Sequence, residues 1–397
     1  MSTNTALQRR IAPDVAEAQR PIMVTHVITT LSTGGAEMML CRLLCAMDRS
    51  RFRNSVISLG GDGAIAHRIR EAGIPVRVLG LGPAQALAGV VRLARELRLE
   101  RPDVIQTWMY HADLLGGLAS LALPGVPVAW NLRCGGLDRS IDKRSTIGIS
   151  RLCAGLSHVL PARIVSCSHA GSEVHASAGY ALEKMRVIPN GFDVEQYRPD
   201  RASRAAVRKE LGLPEEARLI GCVGRFDRAK DHATLIQAAA TILPKEQVHL
   251  AICGEGVIDA NAGLTGLLRA AGIANRCHLL GRREDIPRLL AALDVFVSSS
   301  AVEGFPNAIG EAMACGVPCV VTDAGDSRRL VGDTGLVVPV RDAVALAAGV
   351  RQLIDLGAEG RTALGAMARR RVRDLFEIAD VARQYEELYR EMSACAA

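Results

Sequence analysis

The chain has 397 residues, 49% of them hydrophobic and only 3% aromatic, with 38 glycines and a formal net charge of +6. That length allows two or three domains with an ample core; the mild positive balance suits anionic substrates or an anionic membrane surface and does not argue for nucleic acid. Eleven cysteines without a CxxC or zinc-type Cys/His spacing read as reduced thiols of a cytosolic protein, not as a disulfide framework.

Residues 1–20 are polar and lack an apolar segment, so a disordered tail is expected there and no signal peptide. No 18 uncharged apolar residues run together. The longest candidate, Leu114 to Trp130, is broken by Gly116, Gly117, Pro124 and Pro127, so no transmembrane helix is expected. An apolar strand covers 21–30, and the Gly34-Gly35 turn launches a helix over 36–47. Strand-like runs recur at 54–59, 76–79, 104–107, 127–131 and 164–167, with helical patterns at 62–73, 84–99, 111–122, 141–160 and 169–179. Such alternation means βαβ units and a mainly parallel sheet.

The texture changes at Val187-Ile188-Pro189-Asn190-Gly191-Phe192-Asp193, and a charged stretch follows through Glu216, as in a linker between domains. A second series then places strands at 218–223, 248–253, 276–280, 294–298, 318–322 and 335–338, and terminal helices over 341–394. The predicted class is α/β: two doubly wound sheets in tandem, over 21–195 and 196–378, facing each other across a cleft. Ligands of such sheets bind beyond the carboxyl ends of the strands, and the motifs that carry chemistry all fall there.

The central one is Glu303-Gly304-Phe305-Pro306-Asn307-Ala308-Ile309-Gly310-Glu311. It follows the apolar run 294–297 and opens a helix that ends at Gly316-Val317-Pro318. At about 1.5 Å per residue, Glu311 lies only about 6 Å along the axis from Asn307. The free N–H groups and positive dipole end of that helix suit a diphosphate. Glu303 and Glu311 are then placed to contact neutral hydroxyls on either side of it, as a sugar joined to a nucleotide requires. Taken alone, two glutamates eight positions apart read as two solvated carboxylates flanking a helix start.

Gly34-Gly35-Ala36-Glu37 is either a tight βα turn or a place where a phosphate approaches backbone N–H groups. It is not G-x-G-x-x-G, and no GxxxxGK[ST] occurs, which counts against a dehydrogenase and a P-loop enzyme. In Gly224-Arg225-Phe226-Asp227-Arg228-Ala229-Lys230-Asp231, Arg225 and Lys230 flank a strand-to-helix junction where both can point into the cleft. Cations oppose the helix dipole there, so a bound diphosphate accounts for them better than solvent does. Gly254, in Gly254-Glu255-Gly256, is another point of backbone approach, and the plane of Arg282 is a candidate platform for the nucleobase. In the first half, Trp108, Tyr110, His111 and Asp113 form a polar-aromatic cluster that either stacks on a sugar or belongs to the core. Arg133 ends the next strand and is a candidate for the reacting centre; Ser168 or His169 caps the helix after another.

Gly-Gly-Ala-Glu, Val-Ile-Pro-Asn-Gly-Phe-Asp, Gly-Arg-x4-Lys, Gly-Glu-Gly and E-x7-E followed by Ala-Met-Ala-Cys-Gly-Val-Pro occur in this order. The ordered set resembles the glycosyltransferases of family 4, over roughly residues 22 to 392. The resemblance implies the GT-B fold, with a helix over 379–397 crossing back to the first domain. It implies a retaining transferase that needs no metal or other cofactor and moves a hexosyl-type sugar from a UDP- or GDP-sugar to a glycan or lipid-linked acceptor. Surface polysaccharide assembly is the family habit. By that analogy Arg225 and Lys230 hold the diphosphate and, with Glu303, form the catalytic set. Gly34, Gly35, Gly224 and Gly254 approach the donor with backbone, Glu311 takes ribose hydroxyls, and Glu303 with residues 304–308 (Gly304, Phe305, Pro306, Asn307, Ala308) holds the donor sugar. Members often place a histidine near the reacting carbon; this chain has Asn131-Leu132-Arg133 there, so the equivalent is left unassigned.

Two rivals remain: a sugar-nucleotide epimerase of the same fold, and an inactive nucleotide-sugar-binding module. Between 133 and 163, Arg133, Arg139, Lys143, Arg144, Arg151 and Arg163 are opposed only by Asp138 and Asp142, beside the apolar Leu152, Leu156, Val159 and Leu160. That stretch is either a patch for the cytoplasmic membrane face or a helix packed on its sheet.

Overall fold

A computed structural model describes residues 20–82, 86–136, 143–214, 216–243 and 247–395. Residues 1–19 of the expected tail, and Asp138, Arg139 and Asp142 of the basic stretch, lie outside the described residues; Arg20, the last residue of that tail, pairs with Asp103.

The first domain is built on β1 (Ile22–Ile28), β2 (Phe52–Ser58), β3 (Val76–Val78), β4 (Val104–Trp108), β5 (Val128–Leu132), β6 (Arg163–Ser166) and β7 (Met185–Val187). They form one seven-stranded sheet in the order β3-β2-β1-β4-β5-β6-β7, parallel throughout. The second domain has β8 (Arg218–Val223), β9 (Val248–Cys253), β10 (Cys277–Leu279), β11 (Val295–Ser298), β12 (Cys319–Thr322) and β13 (Gly335–Val338), also parallel, in the order β10-β9-β8-β11-β12-β13. Strand order reverses beside β1 and beside β8, so each sheet has its switch point where a glycine-rich turn follows. Strand β7 is illegible in the sequence: three half-buried residues at an edge show no alternation.

The central strands are buried on both faces, as parallel sheets require. In β1 this includes polar residues, which find partners inside. Thr25 and Ser55 hydroxyls pair at 3.1 Å. Trp108 Nε1 donates to His26 Nδ1 at 3.3 Å, so the proton of His26 sits on Nε2 and is donated to Asn54 Oδ1 at 3.1 Å. Burial holds the His26 pKa down to about 4, keeping the imidazole neutral.

Asp113, fully buried on the helix Tyr110–Ser120, staples that helix to the sheet. Its Oδ1 accepts from the Thr107 hydroxyl at 2.5 Å and from the Asn131 N–H at 3.2 Å. Burial outweighs those bonds and pushes its pKa up to about 8. Below about pH 4 the carboxyl is protonated folded or unfolded. Above it the unfolded form ionises first, so stability falls by up to about 1.4 kcal/mol per pH unit until about pH 8. Asp113→Asn should therefore gain on wild type in urea denaturation as pH rises from about 5 to about 7.5. A constant gap between the two would contradict this.

The domains are tied at two crossovers. Phe192 N–H donates to Phe376 O at 2.8 Å, and Ile378 N–H to Phe192 O at 3.0 Å, so the linker pairs with the chain where it leaves the second domain. The helix Ile378–Ala394 then returns to the first domain, burying Val381, Tyr385, Leu388 and Tyr389 against β1 and β4; each such side chain contributes about 1.5–3 kcal/mol. Phe192 is itself fully buried and stacks on Phe305, with ring centroids 6.1 Å apart. A Cβ at Gly310 would stand 2.1 Å from the Phe192 ring. Gly310→Ala is expected to cost about 1–3 kcal/mol by overpacking, read in urea; wild-type stability would show that the ring can yield.

Candidate functional site

The loops leaving β1, β5 and β6 meet those leaving β10, β11 and β12. Closest are the backbones of Gly135 and Glu303-Gly304: a Cβ on Gly135 would lie 1.9 Å from Glu303 O, and one on Gly304 would lie 3.0 Å from Gly135 N. Only glycines let the two main chains touch.

Lys230 and Glu303 form an ion pair beside this seam. The left-handed Asp231 (φ 45°), a conformation Asp tolerates better than most residues, caps the helix His232–Ile242 through the Thr234 N–H. The preceding loop is tied by the Lys230 N–H to Asp227 Oδ1 at 3.1 Å. Ser299 Oγ donates to Lys230 O at 2.9 Å and the Ala301 N–H to Ala229 O at 2.8 Å, so the loops after β8 and β11 move as one. Lys230 Nζ donates to Glu303 Oε1 at 2.5 Å, and Ser300 Oγ donates to the same oxygen at 2.7 Å. The lysine side chain is 25% exposed and the glutamate 11%. Burial works against the ammonium, but the carboxylate more than compensates and the Lys230 pKa is raised.

The helix Asn307–Ala314 starts beside this pair with no side-chain cap. Asn307 uses its amide elsewhere: Oδ1 accepts from Asn190 Nδ2 at 2.6 Å and Nδ2 donates to Gly35 O at 3.4 Å. The helix start therefore faces Gly35, where the helix Gly35–Ala46 begins. Glu37 folds back over Gly34, its carboxylate bonded to Thr30 and Ser32. Gly254 lies against the Gly224 carbonyl behind the Lys230 loop.

Several expected placements differ. Arg225 does not converge with Lys230: its side chain is 64% exposed and pairs with Asp227 at 3.1 Å. Arg282, an exposed residue, bridges the cleft mouth: its Nη2 donates to Thr33 Oγ1 at 2.5 Å. Glu311 is engaged by Arg42, whose Nη2 donates to its Oε1 at 2.5 Å and to the Tyr197 hydroxyl at 3.1 Å. Phe305 joins the hinge aromatics Phe192 and Phe376, so only its backbone lines the turn. Trp108 is fully buried and stacks on Tyr385, and Tyr110 bonds His175 at 2.6 Å: both are core, not platforms for sugar. Arg133 lies over the Trp108 ring, 5.2 Å from its centroid, and donates to Asn190 Oδ1 at 2.5 Å, inside the seam. Of that cluster His111 alone is half-exposed. Ser168, not His169, is the helix cap, accepting from the Gly171 N–H.

Arg42, Asn190, Ser300 and Gly135 were not singled out from the sequence. A signal existed for Arg42: it is the only cation in GAEMMLCRLLCA, and a charge within an apolar helical run wants a buried counter-ion. Among the described residues no group of three His, Cys, Asp or Glu side chains gathers at metal-ligand spacing, and no helix is long and apolar enough to cross a membrane.

Residues 33–196 match the family model for Glycosyltransferase Family 4, and residues 217–355 that for Glycosyl transferases group 1. The chain is 26% identical to the UDP-Gal:alpha-D-GlcNAc-diphosphoundecaprenol alpha-1,3-galactosyltransferase of Escherichia coli, over 69% of this chain and 72% of that one. It is 28% identical to the lipopolysaccharide core biosynthesis glycosyltransferase LpsE of Rhizobium meliloti (strain 1021), over 81% and 86%. The crystal structure of Anabaena HepE in complex with UDP and glucose superposes with a TM-score of 0.83 at 25% identity, over 93% of this chain and 100% of that one. Two facing parallel-sheet domains, a returning C-terminal helix and both family models agree: the chain belongs to the family 4 glycosyltransferases and has their GT-B fold.

Proposed function

We propose that the chain moves a hexosyl-type sugar, with retention and without a metal or other cofactor, from a UDP- or GDP-sugar to a glycan or lipid-linked acceptor in surface polysaccharide or other glycoconjugate assembly. The observation that carries this reading is the Lys230–Glu303 pair beside an uncapped helix start, facing Gly35. The ligands of HepE and the donor and acceptor named for the Escherichia coli relative support a uridine nucleotide and a lipid-linked acceptor.

On donor entry Lys230 turns from Glu303 to the diphosphate, and Arg225 leaves Asp227 to join it. Breaking the sugar–phosphate bond sends its electron pair to the leaving oxygen, where the ammonium and the N–H groups of the helix start meet the charge. Glu303, released, takes sugar hydroxyls. Arg42 holds one oxygen of Glu311 and leaves the other for the ribose. Retention keeps the acceptor hydroxyl and the diphosphate on one face, so the departing phosphate oxygen is the nearest base for the hydroxyl proton. Contact between Gly135 and Gly304 excludes water from the bond. His111 and Arg133 lie on the acceptor side. A thermal-shift screen of nucleotide sugars should single out one donor, consumed only when acceptor is added. Consumption without acceptor would mean an epimerase, binding without turnover an inactive module, and no shift with any donor would refute the reading.

Peripheral contact with the cytoplasmic membrane face belongs to the same proposal. On the helix Arg144–Leu156, Cys153 and Ala154 are buried on the side packed against the helix Tyr110–Ser120, leaving Leu152 52% exposed beside Arg151. Val159, in the turn that follows, is 77% exposed. Anionic liposomes should sediment wild type at low salt and lose Leu152→Ser/Val159→Ser; equal sedimentation would place the contact elsewhere or nowhere.

A further inference from the structure

We propose that the second domain carries another anion site, remote from the cleft, which takes a phosphate-bearing organic ligand. It is a cavity of about 610 Å³ at the amino-terminal edge of the second sheet. Its floor includes Asp294 and Pro318, which precede β11 and β12, and Gly316 beyond the helix Asn307–Ala314. The four residues of β11 put roughly 13 Å between this edge and the loops of the cleft.

The lining is strongly one-signed: Arg201, Arg204, Arg361, Arg369, Arg370 and Arg373 stand against only two carboxylates, Asp200 and Asp294. Both carboxylates are already committed. Asp200 caps the helix Arg201–Glu210, accepting from the N–H groups of Ala202 and Ser203 and from the Ser203 hydroxyl. Asp294 accepts from Arg204 at 2.7 Å through one oxygen, and from the Leu219 N–H at 2.8 Å and Arg208 at 3.4 Å through the other. The deepest guanidinium, Arg361, is 5% exposed, and its hydrogen bonds go to the carbonyls of Leu353 and Ile354. Arg369 likewise donates only to carbonyls, those of Tyr197, Ala314 and Val194. Among the described residues neither forms an ion pair. Burial and the neighbouring arginines Arg218 and Arg204 pull the Arg361 pKa down against the attraction of Asp294.

A buried guanidinium bonded only to carbonyls, with its nearest carboxylate already held by other arginines, is left with charge that a further anion can answer. Forked N–H donors match phosphate oxygens in both charge and shape. Leu293, Val317 and Pro318 add an apolar wall, and the volume lies within the range of about 300–1,000 Å³ typical of small-molecule sites. The occupant therefore has an organic part as well as phosphate. Such chemistry comes either as a free phosphorylated metabolite or as an anionic lipid headgroup.

Calorimetric titration of the full chain with inorganic tripolyphosphate, and sedimentation with phosphatidylcholine/phosphatidylglycerol vesicles, separate the two sources. The test variant, R201E/R370E, changes exposed rim residues; R201A/R370A serves if charge reversal lowers the Tm. Tripolyphosphate binding that survives Lys230→Ala and weakens about tenfold or more in the rim variant establishes a site for free phosphate, distinct from the cleft. Vesicle binding lost in the rim variant, with tripolyphosphate unaffected, establishes the headgroup instead. No binding of either probe by wild type, or equal binding by wild type and both rim variants, overturns the proposal. Because Lys230→Ala reports on the cleft alone, failure here leaves the transferase reading standing, and the reverse.

Discussion

Lys230→Ala is expected to lower kcat by about 10²–10³-fold, the usual loss when one preorganised donor to a developing anion is removed. The same change has a structural cost. Glu303, with a side chain only 11% exposed, loses its counter-ion and keeps only the Ser300 hydroxyl on Oε1. Stripping one partner from a fully buried pair costs about 3–5 kcal/mol; with the lysine 25% exposed, solvent screening reduces this to about 2 kcal/mol. Activity and stability must therefore be separated. Lys230→Ala/Glu303→Gln removes the stranded charge, and should recover most of the stability in urea while turnover stays low. Wild-type turnover in the single variant would remove Lys230 from the chemistry. Recovered turnover in the double variant would make its role structural.

The second large effect lies one turn along the helix Asn307–Ala314. Arg42→Met should destabilise the protein by about 3–5 kcal/mol, because Arg42 and Glu311 have side chains only 8% and 11% exposed and, among the described residues, the carboxylate pairs with no other cation. Arg42 belongs to a first-domain helix and Glu311 to a second-domain one, so the pair couples two cores. Scanning calorimetry should show the single wild-type transition separating into two. Arg42→Met/Glu311→Leu, which removes both charges, should restore most of the loss, since buried ion pairs are roughly exchangeable with apolar groups of similar volume. A loss below about 1 kcal/mol for the single variant would mean that the pair is solvated in solution.

These two pairs mark how far the sequence could be read. Alternation of apolar runs with 3.6-residue patterns located both sheets, because β1, β4, β8 and β11 are buried on both faces and apolar at most positions. The helix start at Asn307 was legible because Phe305-Pro306 ends the preceding loop and Gly316 closes the following helix, both local signals. Partners across the cleft were not. Nothing within a few residues of Glu311 indicates Arg42, 269 positions away. Trp108 shows the same limit: an aromatic at a strand end looks like a sugar platform until a C-terminal helix brings Tyr385 over it. Arg225 and Lys230 share a motif, yet the chain turn at Asp231 buries one and leaves the other in solvent. Motif spacing names residues that share a loop; which of them meet is decided by the second domain.

The central claim is that Lys230 and the helix start at Asn307 receive the diphosphate of a nucleotide sugar. Its most direct test is calorimetric titration of UDP and GDP into the wild-type chain and into Lys230→Ala/Glu303→Gln. One nucleotide should bind the wild type and bind the double variant about a hundredfold more weakly, a difference of about 2.7 kcal/mol. Equal affinity for both proteins, or no binding of either nucleotide by the wild type, would contradict the account.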